Sequence, residues 1–197
     1  MCGKNVNSTM FTSDYKIKAV IMDEKSLNRT LSRLAHQIVE SNRGAENLAF
    51  VGILTRGVQI AERLIEKIEP IEGRRLPLGM LDITFYRDDM LGSRKKPRVQ
   101  KTDIPFDIDG KAVVLVDDVL YTGRTVRAAL DALMDFGRPA RIQLAVLIDR
   151  GHRELPIKAD FIGQEIKTTA GEEVRVKLKN IDSEDSVYLV ETLNEKK

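Results

Sequence analysis

The chain has 197 residues, of which 42% are hydrophobic and 31% are charged, and its formal net charge is +2. This length and balance predict one well-buried soluble unit and exclude a membrane-spanning protein. A charge so near zero does not indicate nucleic-acid binding by itself, so such a function would depend on where the basic residues cluster. Cys2 is the only cysteine and there are two histidines, which excludes an internal disulfide and argues against a structural zinc site.

The start of the chain is rich in Asn, Ser, Thr, Lys and Gly and lacks the apolar core of a signal peptide. We therefore expect residues 1–14 to form a disordered extension and residues 15–197 to form a single domain. A lone cysteine suits a reducing compartment, so a cytoplasmic location is expected.

Short apolar runs alternate with longer amphipathic stretches along the chain. Strands are predicted at residues 15–22, 48–54, 78–86, 113–118 and 142–149. Helices are predicted from the cap Asp23 to Gly44, at residues 58–68 and at residues 125–136. The polar segment 87–103 lacks the regular spacing of apolar residues that indicates a helix or a strand, and it is predicted to be a mobile loop. Later runs at residues 161–166, 174–178 and 187–191 predict a small antiparallel subdomain.

This alternation of strands and helices predicts an α/β fold. The nearly continuous apolar strands indicate a mainly parallel central sheet with helices on both faces. In such sheets ligands bind beyond the carboxyl ends of the strands. The loops that follow the predicted strands are therefore the places to look for a functional site.

One of these loops follows two adjacent carboxylates, Asp117 and Asp118. The stretch around them consists of Val113, Val114, Leu115, Val116, Asp117, Asp118, Val119, Leu120, Tyr121, Thr122, Gly123, Arg124 and Thr125. Backbone N–H groups at the start of a helix, with Gly123 permitting close approach, predict a phosphate cradle. Because carboxylates repel phosphate, the two acids need hydroxyl donors or a metal-bearing ligand, and a ribose phosphate supplies such groups. Alternatively, an acid pair at a strand end caps a structural turn.

This stretch resembles the phosphoribosyl pyrophosphate motif of the type I phosphoribosyltransferases. The resemblance implies that the two acids hold the ribose hydroxyls and that the loop from Tyr121 to Thr125 holds the 5′-phosphate. A second family feature, a loop that binds pyrophosphate, fits Thr55, Arg56 and Gly57, with Arg56 beside the acids as a catalytic residue. Alone, those three residues would be an ordinary connection between a strand and a helix.

The same family closes a flexible loop over its active site. The segment 87–103 is placed for this role, with the basic residues Arg87, Arg94, Lys95 and Lys96. A solvated run of charge is the alternative interpretation. The resemblance also implies Mg²⁺ as a cofactor, carried by the substrate rather than by protein ligands, and a type I fold with a small C-terminal or hood subdomain.

Residues 82–89, 116–133 and 147–163 resemble more narrowly a bacterial family of pyrimidine operon attenuation regulators that are also uracil phosphoribosyltransferases. This implies that uracil and phosphoribosyl pyrophosphate react to give UMP and diphosphate. Implied partners are these molecules and a leader mRNA stem-loop, without DNA or membrane, in a homo-oligomer. Asp149 and Arg150 are placed to read the base, although Asp149 could simply pair with Arg150. Purine-specific members usually carry an acid where Leu120 and Tyr121 stand here, which disfavours a purine substrate.

The predicted first helix carries a basic and polar stripe opposite its leucine side. At about 100° per residue, one face collects Lys25, Arg29, Ser32, Arg33, His36 and Arg43. By itself such a stripe is typical of a solvated helix face. The resemblance implies that Ser32, Arg33 and His36 bind RNA, together with Arg153 and Lys158, whereas Gln164 is neutral where relatives can carry a basic residue.

Two other functions stay open. One is a dedicated pyrimidine or purine salvage phosphoribosyltransferase without RNA binding, and the other is a nucleotide sensor that has lost catalysis. The intact acid pair and Arg56 argue against the sensor, because sensing UMP does not need a pyrophosphate loop. The sequence identifies no general base.

Overall fold

The structure, a computed structural model, describes residues 11–12, 15–86 and 101–192. The strands are β1 (Phe11–Thr12), β2 (Tyr15–Met22), β3 (Leu48–Ile53), β4 (Leu78–Leu81), β5 (Ala112–Leu120), β6 (Arg141–Asp149), β7 (Phe161–Glu165), β8 (Glu172–Lys177) and β9 (Ser186–Thr192). The helices are α1 (Glu24–Asn42), α2 (Arg56–Glu72), α3 (Arg124–Met134) and α4 (Lys179–Asp182), with a 3-10 turn at Thr84–Tyr86. None of the helices in these ranges is long and apolar enough to span a bilayer.

The described residues divide into two compact units, one formed by those between residues 28 and 167 and the other by those up to residue 27 together with those from residue 168 onward. In the larger unit, five parallel strands lie in the order β4-β3-β5-β6-β7. All six residues of β3 and the first six of β5 are buried, which confirms the prediction of a parallel α/β sheet covered on both faces. The carboxyl ends of β3 and β5 therefore meet at one edge.

The smaller unit contains an antiparallel sheet with the order β1-β2-β9-β8. The prediction treated residues 15–22 as the first strand of the alternating series, but β2 pairs with β9 in this second sheet. Phe11–Thr12 form β1 inside the predicted N-terminal extension, whose other residues lie outside the described ranges. A single domain from residue 15 onward stays a prediction.

Strand β7 lies in the parallel sheet, which corrects its predicted place in an antiparallel subdomain. It pairs with β6 through Ala145 opposite Phe161 and Asp149 opposite Glu165. As an edge strand it has one buried residue, Phe161, and two exposed residues at its end, so its pattern resembles that of a half-exposed antiparallel strand.

Strand β4 ends earlier than predicted, at Leu81 rather than at residue 86. The Asp82 carboxylate accepts hydrogen bonds from the backbone N–H of Thr84, at 2.8 Å, and from its hydroxyl. This local turn competes with strand continuation. Consequently the chain bends directly after the sheet, and Asp82 and Thr84 lie at its carboxyl edge.

Helix α1 has the predicted caps. The N–H of Ser26 donates to Asp23 Oδ1 at 2.7 Å, and Gly44 adopts a positive φ of 109° beyond the last turn. Helix α2 is longer than predicted at both ends, since it begins at Arg56 and continues to Glu72. The first residue of α2 is therefore a member of the predicted pyrophosphate loop.

Candidate functional site

Two clefts open at the carboxyl edge of the parallel sheet. The first has a volume of about 300 Å³ and is lined by Asp117, residues 119–126 and Glu154. The second has a volume of about 280 Å³ and is lined by residues 53–56, 82–84 and 117–119 together with Thr125. Because Asp117, Val119 and Thr125 line both clefts, the two are neighbours, and Asp118 lines only the 280 Å³ cleft.

The acid pair lies within β5 rather than at its end. The prediction ended this strand at Asp118, but pairing with β6 continues through Leu120 opposite Asp149. The N–H of Asp118 donates to Asp117 Oδ1 and the N–H of Val119 donates to Asp118 Oδ1, both at 2.9 Å. Local backbone bonds therefore hold both carboxylates in place.

Burial raises the pKa of Asp118 above its ordinary value, although a hydrogen bond with Asp117 and the charge of Arg56 act to lower it. The folded chain thus holds a carboxylate where its ionised form is disfavoured. A shifted carboxyl in a cleft next to a specific cation is typical of a functional site.

The predicted phosphate loop leads directly into the start of α3, at Arg124. Gly123 has a φ of 93°, a region that residues with a Cβ rarely adopt, and its carbonyl accepts from the N–H of Arg127 at 2.9 Å. A Cβ at Gly123 would also lie 3.3 Å from Ile157 Cδ1. The first N–H groups of α3 line the 300 Å³ cleft and can donate to an anion.

The predicted pyrophosphate loop lies against the acid-bearing strand. A Cβ at Gly57 would stand 2.3 Å from the carbonyl oxygen of Val116, so only glycine permits this approach of α2 to β5. The Leu54–Thr55 peptide bond is cis. Thr55 and Arg56 line the 280 Å³ cleft. The structure therefore brings Thr55, Arg56 and the two acids together, as the sequence predicted.

Three polar residues that line these clefts are not among the site residues predicted from the sequence. Asp82 and Thr84 line the 280 Å³ cleft, and the Asp-x-Thr pattern of a local turn could have indicated them. Glu154 lines the 300 Å³ cleft and pairs with Arg124, with its Oε2 2.6 Å from the nearer guanidinium nitrogen. Nothing in the local pattern indicates Glu154, because it comes from a segment 30 residues away from Arg124.

Beyond the phosphate loop, the exposed ring of Tyr121 stacks under the guanidinium of Arg150, with Cζ 4.0 Å from the ring centroid. The ring of His152 approaches the same tyrosine edge-on, with centroids 6.0 Å apart. The Asp149 carboxylate forms an ion pair with Arg153. The guanidinium of Arg150 lies on Tyr121, near the predicted nucleotide site.

The predicted RNA-binding residues of α1 share its outer face. Arg33 and His36 are exposed and Ser32 is half-buried. The Ser32 hydroxyl donates to the carbonyl of Asn28 at 3.1 Å, and His36 Nδ1 lies 2.8 Å from the Ser32 carbonyl, which can only accept. The exposed imidazole of His36 can still contact another group through Nε2.

Lys158 and Arg153, the other two residues predicted to bind RNA, differ in exposure. Lys158 is exposed, whereas Arg153 is half-buried and its guanidinium donates to several carbonyl groups. Direct binding of RNA by either residue stays a prediction. Arg87 lies outside the described residues, as do Arg94, Lys95 and Lys96 of the predicted active-site loop.

The comparisons with known proteins agree on one family. Residues 21–180 match the phosphoribosyl transferase domain. A protein of Pelotomaculum thermopropionicum named bifunctional protein PyrR is 58% identical over 89% of this chain and 97% of its own length. A Thermus aquaticus protein of the same name is 57% identical, with the same coverage.

The fold has well-defined neighbours among solved structures. A hypoxanthine-guanine phosphoribosyltransferase of Bacillus anthracis superposes with a TM-score of 0.65 at 20% identity, covering 88% of this chain and 98% of that one. A hypoxanthine phosphoribosyltransferase of Trypanosoma cruzi gives 0.67 at 16% identity, covering 89% and 98%. These likenesses establish the fold alone. With the identity to the PyrR proteins, they place this chain in the type I phosphoribosyltransferases, and within them it belongs to the bifunctional PyrR family.

Proposed function

We propose that this chain transfers the phosphoribosyl group of phosphoribosyl pyrophosphate to uracil, and that it regulates a pyrimidine operon by binding leader RNA in the presence of uridine nucleotides. The names of its relatives support the pairing of two functions. The observation that carries the enzymatic part is the acid pair at two adjoining clefts, with Asp117 in both and Asp118 in the 280 Å³ cleft, and each cleft contains the start of a helix. This arrangement matches a ribose with a phosphate group at each end.

The assignment of the substrate follows from charge and geometry. The 5′-phosphate occupies the 300 Å³ cleft, where N–H groups of Gly123, Arg124 and Thr125 can donate. The diphosphate occupies the 280 Å³ cleft beside Thr55 and Arg56. The ribose hydroxyls then donate to the carboxylates between the clefts, which are acceptors when ionised.

The proposed reaction is a displacement at the anomeric carbon. The bond from this carbon to diphosphate oxygen breaks, the bond to N1 of uracil forms, and the N1 proton leaves to solvent. Negative charge grows on the departing diphosphate, so fixed positive groups aimed at it lower the barrier. Arg56, held at the first position of α2, is such a group.

The carboxylates of Asp82, Asp117 and Asp118 line the 280 Å³ cleft and are oxygen donors of the kind that Mg²⁺ prefers. Among the described residues, no three His, Cys, Asp or Glu side chains are arranged to hold a metal ion by themselves, so the substrate would supply most of its ligands. When bound with the diphosphate, Mg²⁺ neutralises part of the leaving-group charge. In this proposal the ion arrives with the substrate. The three carboxylates orient that complex, and the stacked Tyr121 and Arg150 form the wall nearest the base.

The RNA part of the proposal uses the outer face of α1 with Lys158. Arg33, His36 and Lys158 are exposed and bring positive charge or hydrogen-bond donors to the surface. Single-stranded loops are the usual targets of sequence-specific RNA recognition, so a leader stem-loop is the proposed partner. A cytoplasmic location and a homo-oligomeric assembly belong to the same proposal, and light scattering after size-exclusion chromatography checks the assembly.

Gly123→Val tests the placement of the 5′-phosphate. We expect the affinity for UMP to fall at least about tenfold, because the valine side chain blocks the cradle and disfavours the positive φ. Isothermal titration calorimetry with UMP measures the effect. Gly110→Val is the matched control, since Gly110 has a φ of 68° and open space around its Cβ position. Parental UMP affinity in Gly123→Val would contradict the placement.

Two assays on the same purified protein test the function as a whole. The first follows formation of radiolabelled UMP from uracil and phosphoribosyl pyrophosphate, with hypoxanthine and guanine as competing bases. The second is a gel shift with the pyrimidine-operon leader transcript, with and without UMP. UMP formation without any RNA shift would favour the dedicated salvage enzyme, and neither activity would reject the proposal.

A further inference from the structure

Arg153 lies near the start of a segment without helix or strand, residues 151–160, which precedes β7. Its guanidinium reaches back to the phosphate loop. One terminal nitrogen donates to the carbonyl of Tyr121 at 2.6 Å and lies 3.5 Å from the carbonyl of Leu120, the last residue of β5. Arg153 therefore binds the backbone of the loop that is proposed to hold the 5′-phosphate.

The same guanidinium also binds its own segment. Nε donates to the carbonyl of Ile157 at 3.0 Å, a terminal nitrogen donates to the carbonyl of Gly151 at 3.0 Å, and the other terminal nitrogen pairs with the Asp149 carboxylate. Arginine has five N–H donors in a fixed plane. With 22% of its side chain exposed, Arg153 directs them to protein acceptors. An RNA phosphate would have to displace these bonds.

Backbone bonds attach the segment to the same loop. The N–H groups of Glu154 and Leu155 both donate to the carbonyl of Thr122, at 3.0 and 3.2 Å. The N–H of Arg150 donates to the carbonyl of Leu120 at 3.0 Å. Because the segment has no regular structure of its own, its conformation follows that of the phosphate loop. Lys158, an exposed residue predicted to bind RNA, lies in this segment.

We propose that Arg153 is a positioning residue that couples the 5′-phosphate loop to the RNA-facing segment, and that it does not itself touch RNA. This inference rests on the proposed function. A nucleotide phosphate that orders the loop also orders the segment through Arg153, so RNA binding to Lys158 then costs less conformational entropy. By linkage, bound RNA raises the affinity for UMP by the same factor.

Direct contact and positioning differ in their dependence on salt. A cation that touches an RNA phosphate releases condensed counterions, and its loss reduces the slope of log affinity against log salt by about 0.7 for a single strand. A residue that only positions others leaves that slope unchanged. Lysine can replace arginine as a phosphate contact but cannot donate to acceptors on several sides in one plane.

The experiment compares the parent with Arg153→Lys, Arg153→Gln and Lys158→Gln by fluorescence anisotropy on the leader stem-loop, over a series of salt concentrations, with and without UMP. For Arg153→Gln, which removes the charge, we expect the parental salt slope. For Arg153→Lys we expect the parental salt slope. We also expect the ratio of RNA affinity with UMP to RNA affinity without UMP to fall to about one, whereas the parental ratio should be at least about fivefold. For Lys158→Gln we expect the slope to fall by about 0.7 and the ratio to stay parental.

A parental UMP ratio in Arg153→Lys, or a reduced salt slope in Arg153→Gln, overturns the inference and returns Arg153 to direct contact or to no role. If either arginine variant fails to fold, Asp149→Asn serves instead, because it removes the ion-pair partner of Arg153 and is expected to lower the UMP ratio. A parent that binds no RNA overturns the proposed function and, with it, this inference. A parent that binds RNA without any UMP effect overturns the coupling alone.

Discussion

Asp118→Asn lowers the rate of UMP formation by about 10- to 100-fold in a protein that still folds. A hydrogen bond to a charged group contributes about 1.5–3 kcal/mol, and each 1.4 kcal/mol changes a rate about tenfold. The contact acts on the rate because ribose bonds tighten as positive charge develops at the anomeric carbon. Initial rates at saturating uracil and phosphoribosyl pyrophosphate measure the change.

Asp131→Asn is the matched control for this prediction. Asp131 is exposed on α3 and pairs with Arg127 at 3.3 Å, away from both clefts, so its variant should keep the parental rate. A parental rate in Asp118→Asn as well would show that the acid pair only caps a turn.

Asp118→Asn should also raise thermal stability at neutral pH. Because burial raises the pKa of Asp118 in the folded chain, its contribution to stability is fully present below the unfolded pKa, about 3.9, and is lost as the pH rises through the folded value. Asparagine has no ionised form, so its substitution for Asp118 removes this loss of stability at neutral pH. The midpoint of the variant should therefore exceed that of the parent at pH 7 and approach it near pH 4, as measured by differential scanning fluorimetry.

The double variant Arg33→Ala with His36→Ala should bind leader RNA at least about 100-fold more weakly, with nearly parental UMP formation. Two charge-assisted contacts of about 1.5 kcal/mol each account for that factor. Both residues lie on the outer face of α1, and neither lines the two clefts at the carboxyl edge. Filter binding at moderate salt with UMP present gives the affinities.

A control must distinguish a general loss of positive charge from the loss of a specific RNA-binding site. Arg74→Ala with Arg75→Ala removes two exposed cations after α2 and should leave RNA affinity close to the parent. Thermal midpoints are needed too, because Arg33 also donates to the carbonyls of Ile162 and Gly163 in β7. Equal RNA affinity in the parent and the Arg33 double variant would return the stripe to a solvated helix face and favour the salvage enzyme.

The sequence predicts the parallel core well because its strands are buried on both faces. The run from Val113 to Val116 is wholly apolar and can lie only in a covered sheet. Strand β7 was misplaced because alternation reports exposure and not the identity of the neighbouring strand. Likewise, the pairing of β2 with β9 joins residues far apart in sequence, such as Tyr15 and Thr192, and no local pattern encodes it.

The residues of the candidate site likewise divide into those that the sequence predicts and those that it does not. Asp117, Asp118 and Gly123 were predictable because adjacent residues supply the acid pair and the loop at the start of the helix. Glu154 and the role of Arg153 depend on a distant segment folding back on that loop. For Arg153, the family resemblance implied RNA binding, whereas in the structure its N–H donors are directed to carbonyl groups of the protein. Sequence reveals which side chains can bind phosphate, and packing decides which of them are already engaged.

Asp117 and Val119 border both clefts, so under the proposed assignment the substrate is a bivalent ligand. Once one phosphate end is bound, the other is held at an effective concentration far above that in solution. Cleavage at the anomeric carbon converts one bivalent ligand into two monovalent products. UMP and diphosphate each keep only one of the two phosphate anchors and lose this avidity, so the reaction itself weakens the binding of its own products.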